Sequence, residues 1–250
     1  MPHPALKNTD HIPLGLCQGR WALTMRWEQL LFLHWRVGPA EQQLLARGLP
    51  EGLELDTFDG SAWLAVVPFV MASTRFRWLP PMPTASSFPE CNLRTYVRHG
   101  DRRGVWFYSL DAHSRMAVEG ARLGFGLPYF RARMSLREAG GRVHYASERT
   151  DRRAPPAVFR ASWQAAGAAT VAERGSLEEF LTARYSLFAM RRGKLVRGDI
   201  AHQPWRLAPV DLQLEECDMA RLVDVSLAGP PESALLAAPV DVAAWSPVRG

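Results

Sequence analysis

The stretch NLRTYVRHGDRRGVWFYSL, Asn92 to Leu110, carries the pattern that decides the fold. Two runs rich in β-branched and aromatic residues, Asn92 to His99 and Val105 to Leu110, flank the polar segment Gly100 to Gly104, which predicts a hairpin. Side chains alternate across a strand, so Arg94, Tyr96 and Arg98 share one side. The same signal recurs on both flanks. Glu54 to Phe58 and Ser61 to Phe69 are joined by Asp59-Gly60, a tight-turn pair because glycine tolerates positive φ. Tyr129 to Arg137 and Arg142 to Arg149 reverse around Gly140-Gly141, and Leu187 to Arg191 and Leu195 to His202 around Arg192-Gly193-Lys194.

Between these hairpins the helices are few and short. Pro39 to Arg47 starts with proline and is stopped by Gly48 and Pro50. Ser114 to Leu123 reads as a second helix, and Ser176 with Glu179 forms a capping box that opens a third over Leu177 to Tyr185. Val158 to Ala165, Trp205 to Leu214 and Leu222 to Ser226 complete the expected strands, and Pro80 to Pro89 is a proline-rich loop. Successive hairpins with few helices predict an all-β to β-dominated α+β fold, a curved antiparallel barrel or cone. The expected division is an N-terminal arm over residues 1–19, one β domain over 20–227, and a loosely attached Pro/Ala-rich tail over 228–250.

Composition narrows the function classes. No run approaches the ~20 uncharged apolar residues of a membrane span, and Met1 to Asp10 lacks a signal peptide's apolar core. Cys17, Cys91 and Cys217 are odd in number and far apart, so no disulfide framework is readable and the expected location is the cytoplasm. The net charge of +5 comes almost entirely from arginine, with Lys7 and Lys194 the only lysines. Those arginines are dispersed, whereas nucleic-acid binders gather charge on one face, so nucleic acid ranks as a distant third among partners. A homo-oligomer is compatible with the sequence. No HxH or HExxH pair supports a metal, no cofactor motif is present, and no GxSxG elbow or P-loop lysine is found.

Five further runs carry a family resemblance: LPEGLELDTFDGSAWLAVVPF (Leu49 to Phe69), FPECNLRTYV (Phe88 to Val97), SLDA (Ser109 to Ala112), GARLGFGLPYFRARM (Gly120 to Met134) and HQPWRL (His202 to Leu207). In this order they resemble the YqjF-like bacterial family, over roughly residues 20 to 225. That family is in turn similar to the acetoacetate decarboxylase superfamily, whose β-cone encloses a small-molecule cavity. In the decarboxylase a lysine condenses with the substrate ketone, and a neighbouring lysine depresses its pKa so that it is neutral and nucleophilic. The lysine pair follows a Gly-Phe-Pro turn. Here the matching turn is Gly126-Leu127-Pro128, followed by Tyr129 and Phe130, and neither can form an imine. Lys7 in the arm and Lys194 at a hairpin tip do not replace them. The resemblance therefore implies the fold and the cavity without Schiff-base decarboxylation.

The same resemblance places Phe88-Pro89-Glu90 at a cavity-lining glutamate, so Glu90 is the candidate catalytic acid or base. Its structural alternative is an ion pair with Arg94. Arg94 and Arg122 are the candidate carboxylate binders, since a guanidinium grips a carboxylate through two hydrogen bonds. Arg36 is a weaker candidate. Tyr129, at the lost lysine's position, and His202, heading HQPWRL, are candidate ligand contacts, whereas His113 has no such support. The expected partner is a small organic molecule, a carboxylate. A polar cavity with converging Glu90 and arginine favours an enzyme acting on an oxo acid by hydration, enolisation or aldol-type chemistry. A greasy one lined by Tyr129, Phe130 and Trp106 favours a non-catalytic binder or sensor.

Overall fold

The computed structural model describes residues 3–77, 87–227 and 229–250. In chain order its elements begin with strands β1 (Leu23–Glu28) and β2 (Leu31–Arg36), helix α1 (Pro39–Arg47), β3 (Glu54–Leu55) and β4 (Trp63–Phe76). Next come β5 (Phe88–His99), β6 (Arg102–Ala112), helix α2 (Arg115–Phe125), β7 (Tyr129–Ala139), β8 (Arg142–Arg149) and β9 (Val158–Ala165). The last are β10 (Thr170–Val171), helix α3 (Leu177–Thr182), β11 (Ser186–Arg191), β12 (Lys194–His202), β13 (Arg206–Cys217), β14 (Ser233–Ala237), β15 (Val240–Ala244) and β16 (Val248–Arg249).

These strands form one sheet that closes on itself twice, with β4, β5 and β6 as the shared wall. On one side the ring runs β4–β5–β6–β11–β12–β15–β1 and back to β4. On the other it runs β4–β5–β6–β7–β8–β9–β13–β14–β2 and back to β4. Pairing is antiparallel except where β6 meets β11 and β7. Closure leaves few free edges, which is how strand-rich folds avoid exposing unpaired backbone.

Alternation along the shared wall separates two interiors. Leu64, Val66, Cys91 and Leu93 turn into the second ring, where Tyr145, Phe159 and Trp163 fill a solid core. Ala65, Val67, Phe69 and Tyr96 turn into the first ring. Opposite Leu93 and Arg94 the ladder of β6 skips Tyr108, a β-bulge. Strict alternation would turn Leu110 away from the side that Val105 and Phe107 face. The extra residue resets the parity, and all three line the first ring.

The hairpins around Gly100 and Gly140-Gly141 form, with β5 on β6 and β7 on β8. Asp59-Gly60 also turns tightly, at φ 48° and 75°, but it closes only the bridge between Phe58 and Ser61. β3 instead pairs with β5. Four other expectations need correction. Leu23 to Arg36, given no element from sequence, supplies β1 and β2, both paired with β4. Leu222 to Ser226 is no strand, because the chain there coils into a 3-10 turn over Met219–Val223. The third helix ends at Thr182, short of Tyr185. Of the proline-rich segment, 80–86 lies outside the described residues, while Phe88 and Pro89 open β5.

Among the described residues, neither end segment is loose. Ala5 is fully buried against Ala201, Ala243 and Trp245. His11 Nε2 donates to the His202 carbonyl at 2.8 Å. The expected tail supplies β14, which joins β13 to β2, and β15, which joins β12 to β1. Both rings would open without it. Its alanines mislead because Ala237 and Ala243 sit buried between neighbours, where small side chains suit a crowded interior.

Candidate functional site

The first ring encloses a cavity of about 490 Å³, within the size range of small-molecule sites. Helix α2 lies along one side and presents Ala117, Gly120, Ala121 and Gly124 to it. Ser114 caps the helix by accepting from the Ala117 N–H at 3.3 Å. Gly126 ends it in the left-handed region at φ 72°, and a Cβ there would lie 2.5 Å from the Met190 carbonyl oxygen. Only glycine fits, so the Gly-Leu-Pro turn fixes the start of β7 and aims Tyr129 at the cavity.

Strand β5 carries the polar groups. Glu90, Asn92 and Arg94 sit at every second position and all line the cavity. Glu90 is 1% exposed. Its Oε2 accepts from the Tyr129 hydroxyl at 2.8 Å, and the Asn92 side chain bonds it too. Tyr145 fixes the local backbone by donating to the Glu90 carbonyl at 2.8 Å. Burial pushes the Glu90 carboxyl up to about 8, and nearby Asp111 adds to the shift against the hydrogen bonds from Tyr129 and Asn92. Glu90 is therefore chiefly a neutral acid at pH 7. Burial, then the Glu90 charge, raises the Tyr129 phenol well above its ordinary value.

Arg94 has no acidic partner among the described residues. One Nη2 donates to the Leu181 carbonyl at 3.4 Å, while Nε is buried and unpartnered. The guanidinium lies over Phe32 at 5.2 Å and Tyr96 at 5.7 Å. His34 beside it is fully buried, and burial and then the Arg94 charge hold its imidazole well below the usual range, so it adds no second positive charge there. Other buried arginines differ: Arg149 pairs with Asp111 at 2.9 Å and Arg184 pairs with Asp56 at 2.5 Å. The expected alternative for Glu90, an ion pair with Arg94, is not formed.

His202 lines the cavity, with Nδ1 at 2.7 Å from the Gln203 carbonyl. Burial lowers its imidazole to about 4. Its ring packs on Trp205 at 4.4 Å, and Trp205 stacks on Trp27 at 6.0 Å. The remaining candidates stand elsewhere. Arg122 projects from α2 away from the cavity, donates to the Tyr129 carbonyl at 2.8 Å and covers Phe130 at 5.5 Å. Phe130, next to Tyr129 on an extended strand, points to the opposite side, and Arg149 lies over it at 4.9 Å. Trp106 likewise alternates outward from Phe107 and packs near Leu53 and Phe188. Arg36 is exposed and paired with Glu232, and His113 is exposed. Lys7 and Lys194 are also exposed, and no lysine lines the cavity among the described residues.

Sequence reasoning missed Asn92, although the parity that joins Glu90 to Arg94 includes it. It also missed the aromatic end formed by Trp27, Phe32 and Trp205. These residues come from β1, β2 and the approach to β13, and no local pattern brings them together.

The ring-shaped sheet around this cavity is the acetoacetate decarboxylase-like fold. An acetoacetate decarboxylase structure aligns with a TM-score of 0.64 at 13% identity, covering 93% of this chain and 90% of that one. An acetoacetate decarboxylase-like enzyme from Sphingomonas wittichii RW1 aligns at 0.60 and 18% identity, covering 93% and 94%. The enduracididine biosynthesis enzyme MppR complexed with pyruvate aligns at 0.61 and 11% identity, covering 93% and 91%. Residues 24–241 match the family model DUF2071, described as an uncharacterized conserved protein. The uncharacterized protein YqjF of Bacillus subtilis (strain 168) is 40% identical over 201 residues, 80% of this chain and 81% of that protein. The chain belongs to the DUF2071 family. No helix among the described residues is long and apolar enough to cross a membrane.

Proposed function

We propose that the cavity binds a small organic carboxylate, with an oxo acid as the class it suits, and that Glu90 exchanges a proton with that ligand without imine formation. The observation that carries this reading is the row on β5. A guanidinium lacking an acidic partner and a buried neutral carboxyl face the same space, with Asn92 between them. An unpaired guanidinium with a buried, unsatisfied Nε gains more from a ligand carboxylate than a surface arginine would. Arg94 lies four residue steps along the strand from Glu90, about 13 Å between Cα atoms, and the long arginine and a bound acid span the gap. In that pose the protonated Glu90, held by the Tyr129 hydroxyl, is the donor available to a ligand carbonyl oxygen. Donation polarises the carbonyl and favours enolisation, hydration or addition at its carbon. The bound pyruvate in one structural neighbour is consistent with the class.

Calorimetry of small oxo and carboxylic acids tests the reading. Arg94→Ala should weaken binding by about 1.5–3 kcal/mol, the range for a hydrogen bond to a charged group. Glu90→Gln should reduce turnover with little loss of affinity. No measurable binding of any acid sinks the proposal. The cavity's many apolar side chains favour a second reading, a binder without turnover; in that case acids bind, Arg94→Ala weakens them, and no product forms.

A further inference from the structure

The cavity's aromatic end carries two polar atoms for which Glu90 and Arg94 have no use. The Gln203 carbonyl can only accept, so His202 Nδ1 must carry the hydrogen of their 2.7 Å bond. Fully buried and facing no carboxylate partner, the ring holds one proton, and Nε2 is left as a lone-pair acceptor. That atom is buried without a partner. Trp27, also on the cavity wall and 6.2 Å away ring to ring, has its indole N–H buried without a partner as well. A buried polar atom left unmatched is unfavourable, and here an acceptor and a donor stand side by side in that condition.

A hydroxyl group donates one hydrogen bond and accepts another, which is the complement of this pair. The surface leading to it is aromatic. From the Arg94 guanidinium, Phe32 follows at 5.2 Å, Trp205 lies 5.3 Å from Phe32, and His202 lies 4.4 Å from Trp205. Rings pack well on such walls in offset or edge-to-face geometry. A three- or four-carbon acid held at Arg94 would leave this end of the cavity unfilled.

We propose that the ligand is a hydroxyaryl acid, its carboxylate at Arg94, its ring against Phe32 and Trp205, and its hydroxyl between His202 Nε2 and the Trp27 indole N–H. This deepens the organic-acid reading and rests on it. His202 and Trp27 are then specificity residues, discriminating by a hydrogen bond that an unsubstituted ring cannot make. Sites built to bond a hydroxyl reject analogues that lack it, because their own buried groups stay unpaired.

The test is calorimetry of phenylacetate, 3- and 4-hydroxyphenylacetate, 4-methoxyphenylacetate, pyruvate and the neutral phenol 4-cresol, against wild type and His202→Phe. One hydroxyphenylacetate should bind about tenfold or more tighter than phenylacetate, with the methoxy acid no better than phenylacetate. His202→Phe should erase the hydroxyl preference, so that the variant binds hydroxyphenylacetate and phenylacetate within about twofold of each other. Should that variant not fold, Trp27→Phe reads the same preference through the donor. Acids that bind with no preference for a hydroxyl, or a preference that survives His202→Phe, overturn this inference and leave the acid reading standing. Binding of 4-cresol without binding of any acid overturns the acid reading itself, and the hydroxyaryl acid with it.

Discussion

Replacing Glu90 with glutamine gives a direct measure of how far burial has moved its carboxyl. The ordinary value is 4.5 and the folded value about 8, so the folded protein binds this proton more tightly than the unfolded chain does. A group raised in this way leaves stability untouched at low pH and removes it as pH climbs through the interval from about 4.5 to 8. Linkage gives a penalty of about 1 kcal/mol at pH 5, about 3 at pH 7 and about 5 at pH 9, each pH unit within the window contributing about 1.4. These are ceilings, since water entering the cavity would soften them. Glutamine keeps the shape and an acceptor for the Tyr129 hydroxyl and cannot ionise. Urea unfolding of wild type and Glu90→Gln, followed by tryptophan fluorescence, should therefore show the variant gaining on wild type by about 2–4 kcal/mol between pH 5 and pH 9. Asp111, raised to about 6 by burial despite Arg149, titrates in both proteins and largely cancels in the difference. A difference that stays flat from pH 5 to pH 9 would mean that Glu90 is ionised throughout, and the neutral acid invoked for proton transfer would not exist.

Two other expectations follow from the same interior. Borohydride added with pyruvate or acetoacetate should leave the protein's mass unchanged, because no lysine lines the cavity among the described residues; a stoichiometric adduct on Lys194 or Lys7 would restore imine chemistry. Asp111→Asn should cost about 3–5 kcal/mol, because Arg149 is fully buried and would keep its charge unpaired. In a chain of this length that lowers the melting temperature by roughly 10 °C, and a shift of only a degree or two would show that solvent reaches the pair.

Some hairpins were legible because their turn residues adopt positive φ, although Asp59-Gly60, which adopts it too, closes only a single bridge. Gly140 and Gly141 adopt it at 59° and 79°, and Arg192-Gly193 at 52° and 73°. The turn between β1 and β2 has no such marker: Gln29 adopts φ 51° with no glycine beside it, and the two strands pair with β4 rather than with each other. β14 and β15 were hidden for another reason. Alanine and proline lower local strand propensity, but ring closure places these segments between neighbours on both sides, where tertiary pairing overrides propensity. At the site, the family resemblance singled out Glu90 and strand parity gave Arg94 its face, but their common row was hidden because Phe88 and Pro89 read as loop and in fact open β5. Arg122 was misplaced because adjacency to a turn says nothing about which face of α2 a residue occupies. The bulge at Tyr108, which brings Leu110 back to the cavity, leaves no signature in local sequence.

Tyr129 at the start of β7 gives Glu90 a neutral neighbour where a lysine would give it a charged one. A lysine ammonium beside Glu90 would hold the carboxyl ionised, since an opposite charge within about 4–6 Å favours the charged form. The phenol of Tyr129 supplies a hydrogen bond at 2.8 Å and no charge. Burial then dominates, and the Glu90 carboxyl keeps its proton near neutrality. With a neutral phenol as its partner, Glu90 is an acid that can donate as well as accept. Arg94 completes the arrangement. With Glu90 uncharged and His34 neutral, the guanidinium is the cavity-facing charge that no neighbouring acid answers. On the proposed reading, such a cavity would favour an anion at one end and proton donation at the other. Imine chemistry would use neither feature.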